Sequence, residues 1–212
     1  MRWGGLAALL GGLLCLLLTP IQASIFSGAD ASPFVVATEP LLDLAGAVHG
    51  TFGPRLGLDE YYFYGRMFFL VYLGAIAGLA GLHVLQSGVV RRERLWFRVV
   101  LVGLVGALGG DVVAYWGGSG DISESPAQGV GFTFEMLAVL AVLIGSVLYG
   151  RATLGGGAAP RWAAWLLVIA GPAAVPAVLL TGYIPHGAVL PFSLVMAMVG
   201  CFLLTRGHGA HN

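Results

Sequence analysis

Two carboxylates, Asp111 and Glu135, fall inside segments whose other residues suit lipid. They lie in the stretch 109–136, GGDVVAYWGGSGDISESPAQGVGFTFEM, which closes one apolar run, crosses a short polar loop and opens the next. An ionisable side chain so placed costs roughly 2.5–3.5 kcal/mol on insertion scales, so it turns toward a bundle interior or a wet cavity. With the first helix expected to end at Gly117, Asp111 sits six residues before that end, about 9 Å down at 1.5 Å per residue. Tyr115 follows four residues later on the same helix face, where its hydroxyl is expected to reach the carboxylate. With the next helix expected from Phe132, Glu135 lies one turn inside it. Antiparallel helices joined by a short loop bring the two acids to similar depth. Arg66 enters the membrane at the same level, and His186 sits in the short turn between Pro185 and Pro191.

Arg66, Asp111, Tyr115, Glu135 and His186 are therefore the candidate ligand-binding set. Paired carboxylates beside a histidine suit acid–base chemistry, because close carboxylates resist ionising together. Histidine and carboxylate oxygens also suit a divalent metal, but the spacing matches no metal motif, so no metal is assigned. A structural network competes with both, with Arg66 neutralising the acids and Glu135 favouring the N-terminal end of its helix. His83 lies at the opposite depth and has no second histidine at its level, which argues against haem and for a polar core residue. His208 and His211 belong to a short polar tail. Pro172 and Pro176 interrupt the donors of one apolar run, which predicts a kink or a broken helix of the transporter kind. Hydrolase, P-loop and dinucleotide-binding motifs are absent, and no catalytic residue or cofactor is assigned.

These residues need a scaffold that tolerates lipid. Of 212 residues, 58% are hydrophobic and only 9% charged, with a mean hydropathy of +0.90. Soluble domains carry about 25% charged residues, so lipid must solvate part of this surface. A net charge of zero leaves no nucleic-acid footprint. The expected fold is an all-α polytopic membrane helix bundle. Five transmembrane helices run over 65–88, 96–117, 132–153, 162–183 and 188–205. Residues 1–23 are either a signal peptide cut after Ala23 or a sixth helix. Residues 24–64 form an extracytoplasmic cap, in which Leu41, Leu44, Ala45, Val48 and Phe52 recur at helical spacing. Residues 206–212 are a cytoplasmic tail.

All ten basic residues are arginine. With alternating helices, eight of them gather at one set of helix ends, and only Arg55 and Arg66 fall at the other. Arginine marks the cytoplasmic side, so the cap and the acid pair are expected outside a plasma membrane. Gly74, Gly78, Gly106 and Gly110 lie on small-residue ridges that admit a close helix, from this chain or a partner. The function expected is an outward-facing intramembrane site for a small solute, proton or cation, with transport as a natural use. The alternatives are a membrane-embedded enzyme acting on a lipid or isoprenoid at the outer leaflet, and an accessory or assembly subunit of a membrane complex.

Overall fold

The structure is a computed structural model that describes residues 2–27, 32–86, 91–117, 125–156 and 160–206. Among the described residues the chain forms helices and no strand. They are α1 (Arg2–Ser27), α2 (Pro33–Val36), α3 (Glu39–Leu56), α4 (Glu60–Gly65), α5 (Phe68–Leu85), α6 (Arg91–Trp116), α7 (Pro126–Gly156), α8 (Arg161–Thr181) and α9 (His186–Arg206). Counting α4 with α5, six of these units are long and apolar enough to cross a bilayer. The protein is an all-α, multi-pass membrane bundle. Its outward faces carry Val102, Val105, Leu137, Leu140, Ile169 and Leu179, all exposed, as a lipid-solvated surface requires.

Helix α1 packs against α5 and α9 on one side, while Leu10, Leu13 and Leu17 on its other side are exposed. Small residues allow this, because association in lipid relies on close contact rather than hydrophobic drive. A Cβ on Gly12 would stand 2.5 Å from the Ser193 carbonyl oxygen, and one on Gly11 would stand 2.9 Å from the Gly74 Cα. Helix α1 continues to Ser27, past the expected boundary at residue 23. Near its end Gln22 is buried and donates to the Tyr61 carbonyl at 3.0 Å. The four glycines noted for a partner helix are engaged within the chain. Gly74 meets Ala7 and Gly11, Gly78 meets Ala8 and Met196, Gly106 meets Ala138, and Gly110 meets Glu135.

Helices α2 to α4 cap the bundle at the end away from most arginines. The spacing from Leu41 to Phe52 does form a helix, α3, with Ala45 buried and Leu44 and Phe52 exposed. Tyr64 ties α4 to it by donating to the Ala45 carbonyl at 2.6 Å. Asp59 caps α4 by accepting from the Tyr62 amide at 2.8 Å, satisfying one of the helix's free donors. One other expectation changes and one narrows. Helix α7 begins at Pro126 rather than near 132, since proline is well suited to a first helical turn. Helix α8 runs unbroken through Pro172 and Pro176, with both prolines at its outward or partly exposed positions, so it offers no unwound segment.

Candidate functional site

Asp111 comes from α6, Glu135 from α7 and His186 from the first position of α9. All three side chains are fully buried. The contact of α6 with α7 decides where the acids meet. A Cβ on Gly110 would lie 2.6–2.8 Å from the backbone nitrogen, Cα and Cβ of Glu135, and one on Gly131 would lie 2.4 Å from the Ala114 nitrogen. Glycine at both places lets the backbones touch, and the residue beside Gly110 is Asp111. Glu135 lies nine residues after the start of α7, about two and a half turns in rather than one.

His186 is held as a plate. Its ring stacks on Phe68 of α5, with centroids 3.5 Å apart and planes 7° apart, and Tyr115 flanks it at 5.8 Å. This orientation points Nε2 at both acids, 3.1 Å from Glu135 Oε1 and 3.7 Å from Asp111 Oδ1. One ligand atom from each of the three residues lies within 4.8 Å of the others. Tyr72 on α5 donates to Glu135 Oε1 at 2.6 Å. Among the described residues, neither oxygen of Asp111 has a hydrogen-bond partner, and neither do Glu135 Oε2 and His186 Nδ1. Buried polar atoms are nearly always paired, so four unpartnered atoms in one cluster set these three residues apart among the described residues.

A tyrosine–glutamine network lies on the cap side of the three residues. Tyr115 Oη meets Tyr183 Oη at 2.9 Å and donates to Tyr61 Oη at 3.4 Å. Tyr183 donates to Gln22 Oε1 at 3.3 Å, and Gln128 Nε2 donates to Tyr61 Oη at 3.2 Å. The network joins α1, α4, α6, α7 and the α8–α9 connection. It ties these tyrosine rings to one another across the helix ends.

Of the five expected site residues, Asp111, Glu135 and His186 come together and Tyr115 flanks them. The Tyr115 hydroxyl serves Tyr183 and Tyr61 rather than Asp111. Arg66 stands apart. Its Nε donates to the Tyr115 carbonyl at 2.9 Å and its guanidinium lies over the Trp116 ring at 5.2 Å. There it serves the C-terminal end of α6, where a cation complements the helix dipole, and forms no ion pair with the acids. Tyr72, Gln22, Gln128, Tyr61 and Tyr183 were not expected at the site. Tyr72 carried a signal, because a tyrosine inside an apolar span needs a partner for its hydroxyl.

Elsewhere, the half-buried His83 stacks on Phe97 at 3.7 Å and lies 3.5 Å from the Tyr149 hydroxyl. Asp121, Glu124, His208 and His211 lie outside the described residues. Comparison with family models, curated proteins and solved structures finds no match to this chain.

Proposed function

We propose that the chain is a multi-pass plasma-membrane protein whose Asp111–Glu135–His186 site binds a small cation or proton drawn from outside the cell, a role that suits transport. The observation that carries this reading is the charge balance of the site. Two buried carboxylates share one imidazole, and among the described residues no arginine forms an ion pair with either acid. Uncompensated buried charge costs several kcal/mol per ion. A bound cation or proton removes that cost and occupies the orphaned oxygens. The sidedness rests on the arginines: eight gather at the ends opposite the cap, which supports a cap outside and a C-terminus in the cytoplasm.

In this reading α1 stays with the bundle as a sixth span. Cleavage after Ala23 would strip Gln22 from Tyr61 and Tyr183 and open the faces of α5 and α9 that meet Gly11 and Gly12. Intact-mass measurement of the membrane-purified protein checks this, and loss of residues 1–23 would contradict it. The accessory-subunit reading draws less support, because the glycine ridges already hold helices of the same chain.

Asp111→Asn tests the site, since it removes one charge and nearly preserves volume. Melting is followed against Na+, Ca2+ and Zn2+, and infrared spectra are searched for a protonated carboxyl band. The expected variant melts no lower than the parent in chelator-treated buffer and loses the cation response or the carboxyl band. A variant that melts several degrees lower while keeping both would make the cluster a structural network only.

A further inference from the structure

Resting on the cation-site reading above, we infer that the occupant is a divalent first-row transition ion of the zinc class, held by Asp111, Glu135 and His186. Zinc bound by nitrogen and oxygen at about 2.0–2.1 Å in tetrahedral geometry sets its ligand atoms about 3.3 Å apart. The two separations from His186 Nε2, 3.1 Å to Glu135 and 3.7 Å to Asp111, bracket that edge. The remaining edge, between the two acids, is no longer than the 4.8 Å that spans the set, and no hydrogen bond among the described residues holds the Asp111 carboxylate against rotating to shorten it. Imidazole in the set selects zinc-like ions over magnesium and calcium, which prefer oxygen alone.

On the carboxylate side the supporting shell fits a metal site as well. Ligating carboxylates are themselves hydrogen-bonded by neighbours, and Tyr72 donates to Glu135 at 2.6 Å. The Phe68 stack fixes the imidazole plane before any ion arrives, which reduces the ordering cost of binding. Three protein ligands leave a fourth position open to water or a substrate, the pattern of zinc sites that exchange ligands or do chemistry rather than merely brace a fold. Two carboxylates and a neutral imidazole also match a dipositive ion in charge, so the occupied site is electrically neutral.

The experiment is elemental analysis of the full chain purified in detergent, with Co2+ substitution as a spectroscopic probe. The expected result is stoichiometric zinc that a chelator removes, a melting temperature that falls on removal and recovers with Zn2+ but not Mg2+, and a visible Co2+ band of tetrahedral intensity. Asp111→Asn and His186→Gln should each lose the band. The tail pair His208→Ala/His211→Ala should keep it, and a band lost with the tail instead would overturn the assignment. If Asp111→Asn leaves zinc and the band intact, the site is also wrong. If no metal binds but the infrared carboxyl band is present and vanishes in Asp111→Asn, the metal inference falls while the proton form of the cation reading stands. If neither signal exists, both fall.

Discussion

Two neighbouring glycines on α6 provide a controlled test of how the site is built. A Cβ on Gly110 would sit 2.6 Å from the Glu135 nitrogen, 2.8 Å from its Cα and 2.7 Å from its Cβ, whereas one on Gly109 would meet nothing within 4 Å. Glycine to alanine improves helix propensity by up to about 1 kcal/mol at either position, and this gain cancels when the two variants are compared. The difference is then the packing cost alone. Ordinary carbon contacts begin at about 3.5 Å, so α7 must retreat by about 1 Å at Glu135 to admit the Gly110→Ala methyl. The obstructing atoms belong mostly to backbone, which cannot swing aside. Overpacking of this kind costs about 1–3 kcal/mol, or roughly 2–12 °C in melting temperature for a chain of this size. Melting of Gly109→Ala and Gly110→Ala in one detergent measures it, and the expected order places Gly110→Ala lower. Because Glu135 itself is displaced, Gly110→Ala should also weaken the zinc or proton signal, while Gly109→Ala leaves it intact. Equal melting temperatures and equal binding would refute the claim that the α6–α7 contact sets the site.

Other perturbations separate site residues from their surroundings. Tyr72→Phe deletes the hydroxyl that donates to Glu135 at 2.6 Å and should lower stability by about 1.5–3 kcal/mol if the acceptor is charged; a change under about 0.5 kcal/mol, within the range of a site with no special role, would show that this bond does not matter. Arg66→Ala loses the Tyr115 carbonyl and the Trp116 face, so tryptophan fluorescence should change and stability fall by about 1 kcal/mol, with cation binding untouched; lost binding would restore Arg66 to the site. For sidedness, Thr51→Cys on exposed α3 in a Cys201→Ala background should react with an impermeant maleimide on intact cells. Labelling only after lysis would reverse the orientation.

The spans were legible because lipid enforces them. Backbone groups without water must be paired within a helix, so apolar runs such as 188–205 predict their own structure, and α9 indeed covers His186–Arg206. The start of α7 was less legible. Residues 126–131 fell in the polar loop expected before Phe132, yet Pro126 opens the helix and Gly131 packs on Ala114. A glycine that serves a turn and a glycine that admits a neighbouring backbone look alike until the neighbour is known. Tyr115 misled differently. Sharing a face with Asp111 was correct, but the ring carries its hydroxyl away from the backbone to Tyr183 and Tyr61.

Arg66 marks the deeper limit. Hydropathy and helix ends give a residue's level in the membrane, but not its direction around the helix axis. Level alone grouped Arg66 with the acids, although its guanidinium lies against Trp116. Direction is set by which helices touch, and in this chain small residues decide that. Gly110 brings α7 onto α6, Gly187 seats the start of α9 against Thr181, and the imidazole of His186 settles on Phe68. The chemistry of the site therefore depends on contacts made one residue away from the groups that perform it. Asp111 next to Gly110 and His186 next to Gly187 are the same arrangement twice: a small residue closes the gap, and its ionisable neighbour is carried into it.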